Sequence, residues 1–199
     1  MSPHPRLVAF AIAVLLLARA ARADDHRIVD RDGFRAVFPA TWRALPEAAA
    51  SLKGALGDPR VLAGDAIAYG DTARGVVCGV LWVVASAEVA TVRPELEAYH
   101  GSLRDTLAQQ HQKVLVWDVA ETAVRMSSRF EAASETASLL GRAVAAVGRD
   151  GRLRGWSVQC ACTPSAGDKG RVLAQEVVAG FGVSVPDSDL RPLEKKAPR

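Results

Sequence analysis

The segment Val76–Ala85, VVCGVLWVVA, sets the tightest limit on what this chain can fold into. At strand spacing, Val76, Cys78, Val80, Trp82 and Val84 take one face; Val77, Leu81 and Val83 take the other, with Gly79 between them. A strand that is apolar on both faces has to be covered on both faces, which makes it a central strand. The rest of the chain must therefore supply neighbours on either side and a layer above and below.

The neighbours are legible. Ile28–Val29 and Phe34–Phe38 flank Asp32-Gly33, a hairpin turn signal, and Pro39 ends the second strand because it has no N–H to donate. Trp42 is expected to pack on this hairpin. Val61–Tyr69 precedes Val76–Ala85 across GDTARG. Lys113–Glu121, Ala123–Ala132, Ser138–Arg149 and Arg152–Thr163 read as four further strands, the last two joined at Asp150-Gly151. Ala123–Ala132 alternates cleanly, with Val124, Met126 and Phe130 inward and Arg125, Ser127, Arg129 and Glu131 outward.

Three stretches read as helices: a weak Ala48–Leu56, closed by Gly57 and Pro59; a strong Pro94–Gln110 with Leu96, Tyr99, Leu103 and Leu107 on one stripe; and Gly167–Phe181 with Leu173, Val177 and Phe181 at helical spacing. Consecutive strands on short turns give an antiparallel sheet, and helices separated by strands can cover both of its faces. The expected fold is α+β: a twisted antiparallel sheet of about six to eight strands with helices on both faces.

The N-terminus stands apart. Arg6 opens it, Leu7–Ala18 is an unbroken apolar run, Ala21-Arg22-Ala23 is a small-x-small cleavage site, and no acidic residue occurs before Asp24. That order is the plan of a secretory signal peptide, and the run is too short for a spanning helix. The expected organisation is a cleavable signal peptide over residues 1–23, a single domain over 24–185 and a flexible polar tail over 186–199, with the product exported to the periplasm or secreted. Of 25 basic and 22 acidic side chains in the chain, Arg6, Arg19 and Arg22 belong to the leader. The remainder is formally neutral, which does not suit a nucleic-acid footprint, and it holds no further stretch long enough to span a bilayer.

With those elements in place, the chain resembles the PsbP-like superfamily of small α/β/α sandwiches, as an exported bacterial member of unknown function. The resemblance lies in GFRAVFPATW near the start and in AVAAVGRDGRLRGWSVQCACTP running into a terminal helix that ends VVAGFGV. The superfamily includes thylakoid-lumen photosystem subunits and Ran-binding import factors and has no shared catalytic residues. The resemblance implies binding, assembly or chaperoning and transfers no site residue.

Chemistry-bearing residues are few. Cys160 and Cys162 sit two apart in a strand and so share a face, at the far edge of disulfide reach from one another. Either reaches Cys78 if the two strands are neighbours; that bridge would close a loop of about 80 residues and stabilise by up to roughly 4–5 kcal/mol in the chain-entropy model. The alternative use of Cys78, Cys160 and Cys162, with His100 as a further candidate, is a soft-metal or redox site, since thiolates select copper(I) or zinc. No zinc-type C-x-x-C or H-x-x-x-H pairing and no thioredoxin-type C-x-x-C is present. His26 lies at the expected mature terminus, His100 beside the apolar helical stripe, and His111 just past the helix end. No G-x-S-x-G elbow occurs, neither Gly-rich segment matches a phosphate loop, and the paired carboxylates Asp24-Asp25 and Asp187/Asp189 lie near termini. The expected function is therefore a non-enzymatic binding or assembly module of the cell envelope, without a cofactor, whose partner is an envelope protein or a small ligand.

Overall fold

A computed structural model describes residues 26–195; the expected leader and the last four residues of the expected tail lie outside the described residues. Strand β1 (His26–Arg31) and β2 (Phe34–Pro39) form the first hairpin. The short β3 (Arg43–Ala44) leads into α1 (Pro46–Lys53), then β4 (Val61–Asp71), β5 (Val76–Glu88) and the long α2 (Val92–Gln109). Four strands follow, β6 (Lys113–Glu121), β7 (Arg125–Ala133), β8 (Ser138–Val147) and β9 (Arg152–Cys162), before α3 (Gly167–Ala179) and the short β10 (Gly182–Val183).

The main sheet has seven antiparallel strands in the order β3-β4-β5-β9-β8-β7-β6. Its path explains the order. β5 leaves near the centre, α2 crosses one face, and β6 begins at the far edge. The β6–β9 meander then returns until β9 pairs with β5, in the register Cys78↔Cys160 and Val80↔Val158. The central place deduced for the two-sided apolar strand is the one β5 occupies.

The first hairpin belongs to a separate three-stranded sheet, β1-β2-β10, which the sequence pattern did not separate from the main one. It packs with α3 on one face of the main sheet, called here the α3 face. Phe34, Phe38 and Trp42 meet Cys78, Val80, Trp156, Val158 and Cys160 there, together with Ala174, Val177 and Phe181. Asp32 and Gly33 take the positive φ values of 52° and 78° that the tight turn requires. Trp156 Nε1 donates to the Asp32 carbonyl at 2.9 Å, which ties the turn to β9. Phe38 packs on Trp42 at 6.5 Å between ring centroids, as expected of a tryptophan folded back on the hairpin.

The opposite face, the α2 face, is covered by α2 through Val92 and Leu96 against Met126, Ala145 and Val147. Tyr99 lies so close to Gly155 that a Cβ there would stand 2.7 Å from the ring, so the glycine sets how near the helix approaches. Leu52 and Leu56, from α1 and the turn after it, settle on Gly79 and Gly64 in the same manner.

The expectation of a free tail after residue 185 is corrected over residues 186–195. Leu190 is buried and bridges Gly148, Arg191 N donates to Val147 O, and Leu193 N donates to Ala123 O, both at 2.8 Å. Glu194 then accepts from the amides of Val92 and Arg93, each at 2.8 Å. Thr91, the residue before α2, makes no side-chain cap, so a carboxylate about a hundred residues away satisfies the free N–H groups at the helix start. Those amides hold the Glu194 carboxyl below the ordinary carboxylate range. The sequence pattern missed this because the segment is polar and its few apolar residues have no periodicity. Substituting Glu194→Ala should lower the urea midpoint and speed amide hydrogen exchange at Val92 and Arg93 specifically. Unchanged exchange at those two amides would show that the cap is not used.

Candidate functional site

On the α3 face, α3 reaches only as far as β8, so β6 and β7 extend beyond its cover. The result is a groove of ≈ 570 Å³. Its floor is Asp118 and Ala120 of β6, Ser127 and Arg129 of β7, and Leu140 and Arg142 of β8; Gln175, Val178 and Ala179 of α3 make the wall. The side chains read from the alternation as facing outward on β7 are thus the floor of a cleft, because a helix rises beside them.

Arg142 is the one charged residue within SLLGRAVAAV, between Leu140 and Val144 on this face. It is half-buried, and its Nη1 donates to the Phe181 carbonyl at 3.1 Å, where the chain leaves α3. Arg129 is mostly exposed and stands 3.7 Å from Glu131, which Arg171 of α3 holds more closely at 2.7 Å. Ser127 Oγ donates to Ala120 O at 3.4 Å.

The rim of this groove is β6, the edge of the main sheet. Leu115, Val116 and Val119 are all exposed along it, although Trp117 stacks on Phe130 with ring centroids 5.6 Å apart. Leu115 is the extra residue of a bulge between Val114 and Val116, a device that re-aims side chains and discourages edge-to-edge pairing.

A smaller hollow of ≈ 380 Å³ lies on the α2 face, lined by Glu97, His100, Arg104, Trp117, Glu121 and Met126 among others. His100 is buried here. Its Nε2 lies 3.1 Å from the Met126 carbonyl, which only accepts, so Nε2 carries the proton. Nδ1, 2.9 Å from Ser128 Oγ, then accepts from that hydroxyl. Burial holds the imidazole below its ordinary pKa, and the bond to the Met126 carbonyl acts in the opposite direction. Glu97 and Arg104 of α2 and Glu121 of β6 are the charged groups facing it. A histidine neutral in the folded state binds its proton more readily when unfolded. Its contribution is present above about pH 6.5, the unfolded value, and is lost as the pH falls through the lower folded value. Urea midpoints should therefore fall from pH 7 to pH 5 more steeply for the native chain than for His100→Gln; equal slopes would exclude this histidine as the source.

The cysteine candidates divide. Cys78 and Cys160 are directly opposed on β5 and β9 and are joined as a disulfide, while Cys162 lies opposite Val76 as a buried free thiol. Burial pushes the Cys162 thiol up in pKa, with Arg171 offsetting part of the shift, and its Sγ donates to Gly170 O at 3.9 Å. All three sulfurs are on the α3 face under α3, and His100 is on the α2 face. The metal candidates Cys78, Cys160, Cys162 and His100 are therefore corrected: the sheet itself separates the imidazole from the thiols, and two of the thiols bond to each other. His26 is exposed on β1, and His111 is exposed at the end of α2 with φ 58°. Among the described residues no group of three His, Cys, Asp or Glu side chains is arranged to hold a metal ion, and no helix is long and apolar enough to cross a membrane.

No family model matches the chain, and no curated protein matches its sequence. Among solved structures it is similar to the cyanobacterial PsbP protein of Synechocystis, at 16% identity and a TM-score of 0.44, covering 80% of this chain and 92% of that one. It is also similar to the Ran-binding protein Mog1p of Saccharomyces cerevisiae, at 10% identity and a TM-score of 0.40, covering 80% of this chain and 95% of that one.

Proposed function

We propose that this chain is an exported, non-enzymatic binding module of the cell envelope, and that its binding site is the groove between β6–β8 and the end of α3. The observation that carries the reading is that groove bordered by an edge strand, β6, on which Leu115, Val116 and Val119 are exposed. All three are large apolar side chains exposed on that edge strand; Val116, opposite Glu131, shares the face of the groove, and Val119 lines the groove at the strand edge as well as the hollow on the α2 face. Apolar side chains gathered beside a concave, partly polar surface mark a binding site far more often than scattered ones do. The leader-like N-terminus supports export.

A photo-crosslinking residue at position 119 tests the site, with position 62 as control. Leu62 is as exposed as Leu115 but lies on β4, toward the opposite edge of the sheet. A discrete adduct at 119 that disappears with Val178→Glu in the groove wall, and is absent at 62, supports the reading. Equal labelling at both positions overturns it, as does an adduct with the mass of two copies of this chain. Export is tested separately by mass spectrometry: the product should begin at Asp24, and an intact Met1 in the cytosol removes the envelope from the proposal.

A further inference from the structure

On the floor of the groove, one acidic and two basic side chains share a single cross-strand row. Asp118 of β6 is directly opposite Arg129 of β7, and Arg129 is directly opposite Arg142 of β8. Like charges in direct cross-strand register on one face destabilise the pair. Neither guanidinium is fully neutralised. Arg142 spends one N–H on a neutral carbonyl, that of Phe181, and Arg129 has only a share of Glu131, which Arg171 holds at shorter range. Around the floor, Arg129, Arg142 and Arg171 stand against Asp118 and Glu131, an excess of one positive charge beside the apolar Leu140 of the floor and Val178 and Ala179 of the wall.

Resting on the groove reading above, we infer that the groove takes a monocarboxylate with an apolar body, its carboxylate set on Arg142 and Arg129 and its body laid along Leu140 and Val178. A guanidinium matches a carboxylate in planar, two-pronged geometry. Ser127 places a hydroxyl in the next row of the same face, and Gln175 places an amide at the wall. One excess charge flanked by Asp118 and Glu131 suits a monoanion and disfavours a phosphate dianion. Both a free apolar acid and the C-terminal carboxylate of a peptide have this chemistry.

Backbone amide shifts of residues 24–199 separate these sources, with octanoate, octanol and a pair of heptapeptides ending in leucine as either the free acid or the amide. Octanoate binding places the source among small acids; binding of the free-acid peptide without octanoate places it at a chain terminus. In either case amides along β7 and β8 at the groove should move. Octanol and the amidated peptide should leave them in place, and added salt should weaken the effect. Arg142→Gln and, separately, the more exposed Arg129→Gln should each weaken binding at least about tenfold, the loss expected for one charge-assisted hydrogen bond. Lys53→Gln, on α1 at the other end of the sheet, should not. Octanol binding as well as octanoate, undiminished binding by both folded arginine variants, or no shift with any acid at millimolar concentration overturns the inference. If the crosslink at position 119 survives both arginine variants but not Val178→Glu, the groove remains the site and the carboxylate does not belong to it.

Discussion

Replacing Cys78 and Cys160 together by alanine should lower the unfolding free energy by about 4–5 kcal/mol. The two residues are 82 positions apart, and a cross-link over a loop of that length restricts the unfolded chain by about that amount. A domain of this size is stable by only about 5–15 kcal/mol in total, so the variant should sit close to its unfolding threshold at growth temperature. Reductant in urea should reproduce most of the loss in the native chain and none in the variant. The Cys162→Ala variant should keep the reductant-sensitive behaviour, because Cys162 faces Val76 and takes no part in the bond. Peptide mapping under non-reducing conditions should recover Cys78 linked to Cys160. A native chain whose urea midpoint ignores reductant, or a map that links Cys78 to Cys162, would refute the assignment. A bond of this kind persists in an oxidising compartment and is rare in the cytosol, so its presence in material isolated from cells would also agree with export.

The second large effect is expected at Phe38. Its side chain is fully buried, packs at a tilt on Tyr69 of β4 at 4.8 Å and leans on Trp42 at 6.5 Å. It is thus a main contact by which the small β1-β2-β10 sheet holds to the large one. Truncation to alanine removes an aromatic ring from a packed interior and should cost about 3–5 kcal/mol in urea unfolding. Tyr69, Cys78 and Cys160 are in one transverse row of the main sheet, so the Phe38 and disulfide variants share partners. Their combination should deviate from additivity, whereas Phe38→Ala combined with Leu96→Ala on the opposite face should add. A cost below about 1 kcal/mol for Phe38→Ala would mean that the small sheet is not docked as described.

The cysteines show where a sequence stops being informative. That Cys160 and Cys162 share a strand face follows from two-residue alternation alone, and so does the incompatibility of a bond between them. Which one meets Cys78 depends on strand register, and the register is set by residues elsewhere, including Val80 against Val158 and Trp82 against Trp156. His100 shows the same limit. Helical spacing placed it beside the apolar stripe, but its full burial comes from Met126 and Ser128, brought over it by a strand 26 to 28 residues later.

The groove was the least legible feature. Its one local signal was an arginine inside the apolar strand SLLGRAVAAV, at a position facing the same way as Leu140 and Val144. Arg129 looked like an ordinary solvent-facing residue, and the opposition of Arg129 to Arg142 exists only once β7 and β8 are in register. Glu194 capping α2 belongs to the same class, since a single carboxylate near a chain end has no pattern to read.

Periodicity, turn residues and the double-sided apolar strand were enough to determine an antiparallel sheet with β5 at its centre and helices above and below it. These are consequences of hydrophobic burial acting over a few consecutive residues, and the amino-acid order contains them in full. Only the tertiary structure decided the separate small sheet, the disulfide partner, the tethered C-terminal segment and the cleft with two arginines at its floor. Each of these depends on side chains distant in sequence arriving at one place, and that distance is fixed by the summed packing of the whole domain rather than by any segment of it.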